Sequence, residues 1–423
     1  MMEREYKDSG IPWMKHIPTD WNVVRGKDFL FLRNRPVRED DDVVTCFRDG
    51  EVVLRCERRT EGFTMSDKEI GYQGINKGDI VIHGMDGFAG AMGVSKSTGK
   101  GSPVLIVCNP KSDDDARYII YYLRSLAMNN VFVALATGIR ERSCDLRWNK
   151  ISVLPFVRPS SIEQTRIADY IDEKCVEIDS LIALQEQMIE KLKAYKQSVI
   201  TEAVTKGLDP NAKLVPSGID WIGEVPEGWS KDKVIRCFKK IGSGTTPKST
   251  DDNQFQGDIN WLQSGDINGT DLFEASKHIS EQTLTSYSAL SVYKAPFIII
   301  AMYGASVGNI SISHIDACVN QACCVLSFSN LNFKYAFYAL KSAKPYLIYR
   351  AEGGGQPNIS QDKLKSLWIP RPQMNEQYAI ASYLDEKCAD IDRLIALKQQ
   401  KIESLKDYKK SVIYEAVTGK TEI

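Results

Sequence analysis

The chain has 423 residues, of which 43% are hydrophobic and 26% charged, and its formal net charge is -1. This composition is typical of a globular protein with several domains, and it excludes fibrous and intrinsically disordered classes. No apolar run reaches the roughly 18 residues of a membrane span, the N-terminus lacks a signal segment, and the ten cysteines show no zinc or disulfide spacing, so we expect a cytoplasmic protein.

A short motif near the start of the chain occurs again near its middle. Residues 9–13 (SGIPW) return as residues 217–221 (SGIDW), and each copy is followed by a proline and a second tryptophan. Such self-similarity indicates duplication of a structural unit. Each copy precedes a long segment, residues 22–157 and residues 230–370, and these two inserts show little similarity to each other.

The first insert gives both strand and helix signals. Apolar, β-branched runs predict strands at residues 79–83 and 103–108, with glycine-dense turns between them that extend through Gly93. Residues 116–128 predict a helix. Basic residues exceed acidic ones by about three between residues 21 and 158, a modest excess that ordinary scatter of surface charge also explains.

A long helix follows each insert, and the two copies are closely similar. Residues 164–205 and 377–418 are about two-thirds identical, and both carry a stripe in alternating steps of three and four. Ser160 and Glu163 have capping-box spacing before the first copy, and at 1.5 Å per residue each helix is on the order of 60 Å long. We expect the copies to pack as an antiparallel coiled coil through Ile171, Ile178, Leu181, Met188, Leu192, Tyr195, Val199, Leu384, Ile391, Leu394, Leu405, Tyr408 and Val412.

The second insert is also mixed. Residues 260–262, 297–302 and 309–312 predict strands and residues 334–344 a helix, with a basic excess of about four between residues 229 and 371. We therefore predict an α+β fold in which two globular domains alternate with two long helices in a pseudo-two-fold tandem repeat. The expected boundaries are 1–158 (first domain), 159–207 (first helical spacer), 208–371 (linker and second domain) and 372–423 (second helical spacer).

Several motifs resemble those of the specificity subunit of Type I restriction-modification systems, and the likeness spans essentially the whole chain. They include the SGIxW motif before each insert and the exits into the two helices, residues 154–164 (LPFVRPSSIEQ) and 367–377 (LWIPRPQMNEQ). The second insert matches that family's recognition-domain pattern at residues 244–247 (GTTP), 261–262 (WL), 265–267 (GDI), 279–281 (ISE), 304–308 (GASVG), 319–321 (VNQ) and 356–360 (QPNIS). The first insert lacks GTTP-like and NQ elements. It resembles a different recognition-domain subtype through residues 78–80 (GDI) and 84–93.

This resemblance implies a non-catalytic subunit in which each globular domain is a target-recognition domain for one half of a bipartite site in double-stranded DNA. The helical spacers would fix the separation of the half-sites and bind two methyltransferase subunits, with or without two restriction subunits. No cofactor is expected on this chain. The resemblance places S-adenosylmethionine in the methyltransferase partner and ATP with Mg in the restriction partner, and it implies no membrane partner.

The candidates for DNA contact follow from the chemistry of base edges. Arg pairs well with guanine, Asn and Gln pair with adenine, and loops are where such side chains are presented. Each candidate is also explained as an ordinary solvated or structural residue. The candidates are Arg58, Arg59, Lys77, His83, Lys96, Lys100, Arg140 and Arg142 in the first insert, and Lys248, Ser264, Tyr303, Ser306, Gln356 and Asn358 in the second.

Catalytic signatures are not evident in the sequence. Residues 93–102 (GVSKSTGKGS) leave five residues between Gly93 and the GK pair, where a Walker A loop has four, and the four histidines are well apart. We therefore predict no catalytic and no metal-binding residues. Two alternatives stay open, a free-standing DNA-acting enzyme such as a cryptic nuclease, and a coiled-coil scaffold without DNA specificity.

Overall fold

The computed structural model describes residues 4–58, 70–135, 146–304, 306–351 and 358–423. The candidates Arg59, Arg140, Arg142 and Gln356 lie outside these described residues. The chain divides into two compact units, Met1–Glu186 with Gln399–Ile423, and Gln187–Lys398. This division runs through both long helices, whereas the boundaries expected from the sequence give each helix a segment of its own.

The elements up to the end of the first long helix alternate short strands with short helices. In chain order they are β1 (Tyr6–Ile11), β2 (Met14–Pro18), β3 (Asn22–Arg25), α1 (Gly26–Phe29), β4 (Leu30–Leu32), β5 (Val44–Cys46), β6 (Val52–Leu54), α2 (Arg55–Arg58), β7 (Gln73–Ile75), β8 (Ile80–His83), β9 (Met92–Val94), β10 (Gly99–Gly101), β11 (Leu105–Pro110), α3 (Ala116–Met128), α4 (Val131–Ala134), α5 (Trp148–Ile151), β12 (Pro155–Arg158) and α6 (Ser161–Lys206).

The rest of the chain repeats this order of elements with differences in the insert. The elements are β13 (Leu214–Pro216), β14 (Glu224–Pro226), β15 (Ser230–Lys233), α7 (Val234–Cys237), β16 (Phe238–Gly242), β17 (Ile259–Leu262), β18 (Lys277–Ile279), α8 (Glu281–Ser286), β19 (Phe297–Ala301), β20 (Ile310–Ser313), β21 (Cys318–Val319), β22 (Cys323–Ser329), α9 (Phe333–Ser342), α10 (Lys344–Tyr349), α11 (Gln361–Ser366), β23 (Trp368–Arg371) and α12 (Met374–Val417).

The two inserts contain the same sheet despite their dissimilar sequences. The first has four antiparallel strands in the order β4-β11-β8-β9, and the second has four in the order β16-β22-β19-β20. In each sheet the long central strand leads directly into an amphipathic helix, α3 or α9, that packs on the sheet. The duplication therefore extends through the inserts as well as the frame around them.

Each insert is attached to its frame through two paired strands. In the first unit β3 runs antiparallel to β12, with Asn22 opposite Arg158, and in the second β15 runs antiparallel to β23, with Ser230 opposite Arg371. The chain thus enters and leaves each domain side by side, directly before the long helix begins.

A tryptophan of each repeated motif is tied to the start of the following long helix. The Trp21 indole Nε1 donates to Glu163 Oε2 at 2.9 Å, and the Trp229 Nε1 donates to Glu376 Oε1 at 3.3 Å. Ser160 Oγ accepts from the backbone N–H of Glu163 at 3.3 Å, as a capping box requires. The Glu163 carboxylate, however, bonds Trp21 and Arg4.

A buried glutamine in each long helix joins that helix to its domain. The Gln164 side chain accepts from the backbone N–H of Asp115 at 3.0 Å and donates to the Pro159 carbonyl at 3.0 Å. Gln377 makes the equivalent bonds in the second unit, accepting from Asn332 at 2.8 Å and donating to the Pro372 carbonyl at 2.9 Å. Because a buried amide needs such partners, these glutamines fix the direction in which the helix leaves each domain.

Each unit contains an antiparallel pair of long-helix segments. In the first unit Ile178 packs with Leu405 and Val412, and Lys409 Nζ lies 2.7 Å from Asp179 Oδ2. In the second unit Lys196 Nζ lies 2.6 Å from Asp392 Oδ2. Ile171, earlier along α6, shares a cluster with Ile413 and Val417 in the first unit, and Val204, later along α6, shares a cluster with Ile380 in the second. Within each unit the contacts therefore advance along one helix as they go back along the other, which defines antiparallel packing.

The residues of the predicted helix stripe differ in their burial. Ile171, Ile178, Val199, Leu384, Ile391, Leu405 and Val412 are buried, and Leu192 is half-buried. Leu181, Met188, Tyr195, Leu394 and Tyr408 instead keep 37–59% of their surface exposed. These five lie to one side of the contact line between the helices, because a stripe spaced by three and four residues is wider than the seam of a single helix pair.

Candidate nucleic-acid interface

In the second unit several polar loops meet at one end of the four-stranded sheet. Ala301, at the end of β19, lies opposite Cys323, at the start of β22, and Gly242, at the end of β16, lies opposite Val325. The start of β20 pairs with the end of β19 in the same way. The antiparallel register therefore brings the segments that follow β16 and β19 to one edge of the domain, beside the turn that precedes β22.

Two of these loops are tied to each other, and both contain predicted DNA-contacting residues. The Ser306 hydroxyl donates to the Ser264 carbonyl at 2.7 Å, and Asn309 Nδ2 donates to the Ile267 carbonyl at 2.9 Å. Lys344 Nζ, from the start of α10, donates to Asn309 Oδ1 at 2.7 Å. The structure thus places Ser264 and Ser306 in one cross-linked pair of loops supported from behind by α10.

Tyr303 and Asn358 are also close in the fold. The residue after Asn358, Ile359, donates its backbone N–H to the carbonyl of Met302 at 2.7 Å, so Asn358 lies beside the start of the loop that carries Tyr303. Asn358 is exposed, whereas Tyr303 is half-buried and burial raises the pKa of its hydroxyl. Tyr303 is therefore neutral at physiological pH and can act as a hydrogen-bond donor.

Lys248 occupies a separate loop after β16. Its side chain is exposed, and its backbone N–H donates to Gln254 Oε1 at 3.0 Å and to the Tyr287 hydroxyl at 3.1 Å. These bonds fix the backbone of the loop and leave the ammonium group at the surface, where it can approach a phosphate.

A polar pair at this end of the sheet lies in two motifs that the sequence analysis identified, GTTP and VNQ, although neither residue was among the DNA-contact candidates. The Thr246 hydroxyl donates to Gln321 Oε1, and Gln321 is the exposed residue of the turn between β21 and β22. The signal was present in the sequence, since Asn320-Gln321 interrupts two buried apolar strands. A glutamine held by a neighbouring hydroxyl at a turn tip is a good candidate for bidentate contact with adenine.

In the first unit the basic candidates gather around the turn between β5 and β6. Arg58 pairs with Asp49 and, at 3.1 Å, with Glu51, and its guanidinium lies 4.3 Å from the centre of the Phe47 ring. Lys96 Nζ lies 2.9 Å from Glu51 Oε1. Arg58 lowers the pKa of the Asp49 carboxyl by donating to it. Arg58 and Lys96 therefore share one acidic turn, and to bind a phosphate each must exchange a carboxylate for it.

His83 lies at the end of β8, beside the same turn region. His83 Nδ1 accepts from the backbone N–H of Asp86 at 2.9 Å, and Arg48 donates to Asp86 at 2.9 Å. Burial lowers the pKa of His83, although the Asp86 carboxylate opposes this shift. His83 is thus a neutral imidazole that caps its own loop, because its Nδ1 is already used as an acceptor.

The other basic candidates of the first insert are apart from this group. Lys77 is exposed in the turn before β8, where its backbone N–H donates to Thr98 Oγ1 at 3.1 Å. Lys100 lies on β10 opposite Gly74, and its backbone N–H donates to the Asp42 carbonyl at 2.8 Å. The segment 93–102, which resembles a phosphate-binding loop in sequence, therefore connects the end of β9 to β10. A nucleotide-binding loop instead connects a strand to a helix.

A groove at the corresponding end of the first sheet contains residues that sequence reasoning missed. It has a volume of about 620 Å³ and is lined by Arg33, Asn34, Met85 and Arg147 among others. The Arg33 guanidinium lies 3.9 Å from the centre of the Phe31 ring, and its Nε donates to Asn109 at 2.7 Å. Met85 keeps 55% of its surface exposed. Arginine, amide and methionine groups in one groove suit contact with a base edge and a thymine methyl.

The comparisons with known proteins agree with this architecture. Residues 226–407 match the family model described as the Type I restriction modification DNA specificity domain. A protein of Methanocaldococcus jannaschii assigned as the specificity subunit of the type I restriction enzyme MjaX is 26% identical over 96% of this chain and 95% of its own length. The MjaVIII specificity subunit of the same organism is 25% identical over 99% of this chain and 97% of its own length.

Over almost its whole length the chain is similar to type I restriction-modification specificity subunits.

Two solved structures have the same fold along nearly the whole chain. A chain from a structure titled for complex assembly and conformational transition of the type I restriction-modification system aligns over 96% of this chain and 99% of its own, with a TM-score of 0.72 and 16% identity. The HsdS subunit of Thermoanaerobacter tengcongensis aligns over 96% of this chain and 98% of its own, with a TM-score of 0.53 and 17% identity. At these identities the likeness concerns the fold.

The matched family model is described as a DNA specificity domain, and both relatives are named as specificity subunits. Within the described residues, none of the helices is both long and apolar enough to cross a membrane.

Proposed function

We propose that this chain is the DNA specificity subunit of a type I restriction-modification complex and that each globular domain reads one half of a bipartite DNA site. The observation that carries this proposal is the pair of equivalent sheets with unlike loops at the same end. A shared sheet provides one way of docking, and different loop side chains provide different base preferences. The segments 1–158 and 208–371 would be the target-recognition domains, with 208–371 including the linker, and 159–207 and 372–423 the helical spacers.

The long helices would set the distance between the two half-sites. Helices of 46 and 44 residues are each about 65 to 70 Å long at 1.5 Å per residue. One turn of DNA measures about 34 Å, so a spacer on this scale suits half-sites separated by roughly one to two turns, with the bases between them left unread.

Two methyltransferase subunits would bind the exposed stripes of the helices. Leu181, Leu184 and Tyr195 of α6 are 46%, 45% and 59% exposed, and their counterparts at the same positions of α12 are 47%, 54% and 55% exposed. These counterparts are Leu394, Leu397 and Tyr408. Exposed apolar side chains that recur at matched positions are expected when two copies of one partner must be bound.

The cofactors of the reaction would lie on the partners. S-adenosylmethionine would bind to the methyltransferase subunits, and ATP with Mg would bind to restriction subunits where the complex contains them. The part played by this chain is to bind double-stranded DNA and to position those subunits on it.

A map of methylated adenines across the source genome tests the proposal directly. Strains with the gene intact, deleted, and restored in trans are compared. We expect one split motif, two short specific halves around a fixed gap, to lose methylation on deletion and to regain it on restoration.

Two results would count against the proposal. An unchanged methylation map in a strain that expresses the methyltransferase partner would contradict it. Metal-dependent cleavage of DNA by the purified chain alone would favour a nuclease instead, and the matched control for that assay is the same chain in the presence of a chelator.

A further inference from the structure

A half-buried arginine on α3 of the first unit contacts the acidic turn between β5 and β6. Arg124, on the face of α3 that carries Tyr121, donates from Nη1 to the backbone carbonyl of Asp49, in the turn between β5 and β6. The turn is closely fitted around this side chain, since a Cβ added at Gly50 would collide with the guanidinium. Burial lowers the pKa of Arg124, so the cation is held in a site that costs desolvation.

The second unit has a lysine that contacts a loop from the equivalent helix. Lys341, on α9, is half-buried, and its Nζ lies 3.5 Å from the backbone carbonyl of Gly269, in the loop that follows Ser264. Its ammonium lies 5.2 Å from the centre of the Phe337 ring. Burial lowers the pKa of Lys341 as well.

The two cations occupy equivalent positions in the fold. Arg124 follows Tyr118 by six residues and Lys341 follows Tyr335 by six, and these fully buried tyrosines both donate their hydroxyl to the carbonyl of the strand before the long helix, at 2.9 and 3.0 Å. The two loop segments are also equivalent. After each loop segment, one residue forms an isolated parallel β-bridge with the end of the outer strand of its sheet. Val52 pairs with Ser95, directly after β9, and Leu272 pairs with Ser313, at the end of β20.

The helix that carries each cation is fixed to a long helix. Tyr121 donates its hydroxyl to Asp172 of α6 in the first unit, and Tyr338 donates to Asp385 of α12 at 2.7 Å in the second. Each cation lies one helical turn beyond its tyrosine. A short chain of direct contacts therefore leads from a long helix to a loop at the outer strand in both units.

We propose that Arg124 and Lys341 are positioning residues that hold the recognition loops 47–51 and 264–269 at a fixed place relative to the long helices. The inference rests on the proposed function, and it assigns specificity for each half-site in part to a half-buried cation that bonds the loop and not a base. A carbonyl that accepts from a cation makes a stronger bond than one that accepts from a neutral donor. A loop held in this way keeps its base-contacting side chains in register with the DNA.

The cations are unexpected on structural grounds alone. A half-buried methionine of similar length would fill the same space without the cost of desolvating a charge. The one polar group that each cation is seen to bond in its loop is a main-chain carbonyl, which is independent of the loop sequence. One device can therefore hold two loops whose sequences differ.

The test uses the chromosomal gene, with the whole complex formed from its natural partners. Methylated adenines are mapped in strains carrying Arg124→Met, Arg124→Lys, Lys341→Met or Lys341→Arg. Lys239→Met, at an exposed position on β16 of the same domain, is the control. Thermal unfolding of each purified chain and its abundance in the cell are measured in parallel.

We expect each methionine variant to relax only its own half of the split motif. Discrimination at one or more positions of that half should fall by roughly tenfold, the scale of one base contact, while the other half keeps its sequence. The Arg124→Lys and Lys341→Arg variants should retain most of the discrimination, because they keep the cation. Lys239→Met should leave both halves unchanged.

The possible failures are distinguishable. If wild-type cells show no split motif that depends on this gene, the proposed function is wrong and this inference fails with it. If wild-type cells show the motif and the methionine variants keep both halves at full discrimination, the inference alone is overturned. Equal loss at both halves, or loss that follows the fall in abundance and melting temperature, would mean that the residues act only in folding, which also overturns it.

Discussion

Variants at two residues of α6 distinguish a role in packing between the long helices from the proposed role in binding a partner. Ile178 keeps only 3% of its surface exposed and packs with Leu405 and Val412, whereas Leu181, one turn further on, is 46% exposed. We predict that Ile178→Ala destabilises the isolated chain and that Leu181→Ala does not. The two variants remove aliphatic side chains of equal size, so each is the matched control for the other.

The size of the effect follows from burial. Ile178→Ala removes three carbon groups from a buried site, at about 0.8 kcal/mol each, and the cavity left between the helices adds about 1 kcal/mol. The expected loss is about 3 kcal/mol, which corresponds to roughly 6–12 °C in the melting temperature of a unit of this size. Leu181→Ala should cost under about 1 kcal/mol, because nearly half of its surface is already in water.

Thermal unfolding of the purified chain, followed by circular dichroism, measures both variants. Hydrogen exchange of residues 170–186 and 402–414 should show faster opening in Ile178→Ala alone, because local opening reports the stability of the helix pair. Equal melting temperatures for the two variants, or a larger loss in Leu181→Ala, would refute the assignment of Ile178 to the seam and of Leu181 to the exposed stripe.

Three further predictions concern the stripe, the buried glutamine and the acidic turn. The double variant Leu181→Asp/Leu394→Asp should abolish co-purification of the methyltransferase, and each single variant should lower the amount of methyltransferase bound to about half. Full binding of the methyltransferase by the double variant would contradict the proposed surface. Gln377→Leu should destabilise the chain by about 3 kcal/mol in denaturant unfolding, since it leaves buried backbone groups unpaired, and Gln377→Glu at low pH, where the side chain is protonated, should recover part of the loss. Arg58 holds the pKa of the Asp49 carboxyl below its ordinary value, so the ion pair stabilises the fold above about pH 4 and this contribution is lost as the pH falls through the lowered pKa. The stability of the Asp49→Asn variant should therefore differ from that of wild type at pH 7 and converge with it in acid. A difference in stability that persists at pH 2 would contradict this reasoning.

The long helices could be predicted from the sequence because their signal is local and repeated. The helical spacing extends over many turns, and the observed helix α3 coincides with the predicted residues 116–128. The five strands that were predicted were located within two residues, as with β11, which begins at Leu105 although the apolar run begins at Pro103. Proline cannot donate to a neighbouring strand, so pairing starts after it.

The equivalence of the two inserts could not be predicted. Trp21 and Trp229 are 208 residues apart, Tyr118 and Tyr335 are 217 apart, and Glu163 and Glu376 are 213 apart. No single offset aligns the two halves, because loops of different length lie between the equivalent elements. The order of strands in a sheet is set by hydrogen bonds between distant segments, and this information is absent from a local pattern.

The same reason explains what was missed in the candidate interface. Thr246 and Gln321 are 75 residues apart in the chain, and only the sheet brings them into contact. Arg124 and Lys341 lie on helix faces that look like ordinary amphipathic surfaces in the sequence. Their partners are backbone carbonyls, which no side-chain motif can indicate.

The paired strands at the base of each domain have a consequence for how such proteins acquire new targets. Four consecutive residues of β3 pair with four of β12, and the same holds for β15 and β23. A foreign segment that begins and ends with strands able to take this register would inherit the exit into the long helix without any change in the helix itself. On the proposed function, recombination at these two stems would exchange a whole recognition domain while the proposed partner-binding helices keep their sequence, and a cell could change which DNA it methylates in one genetic step.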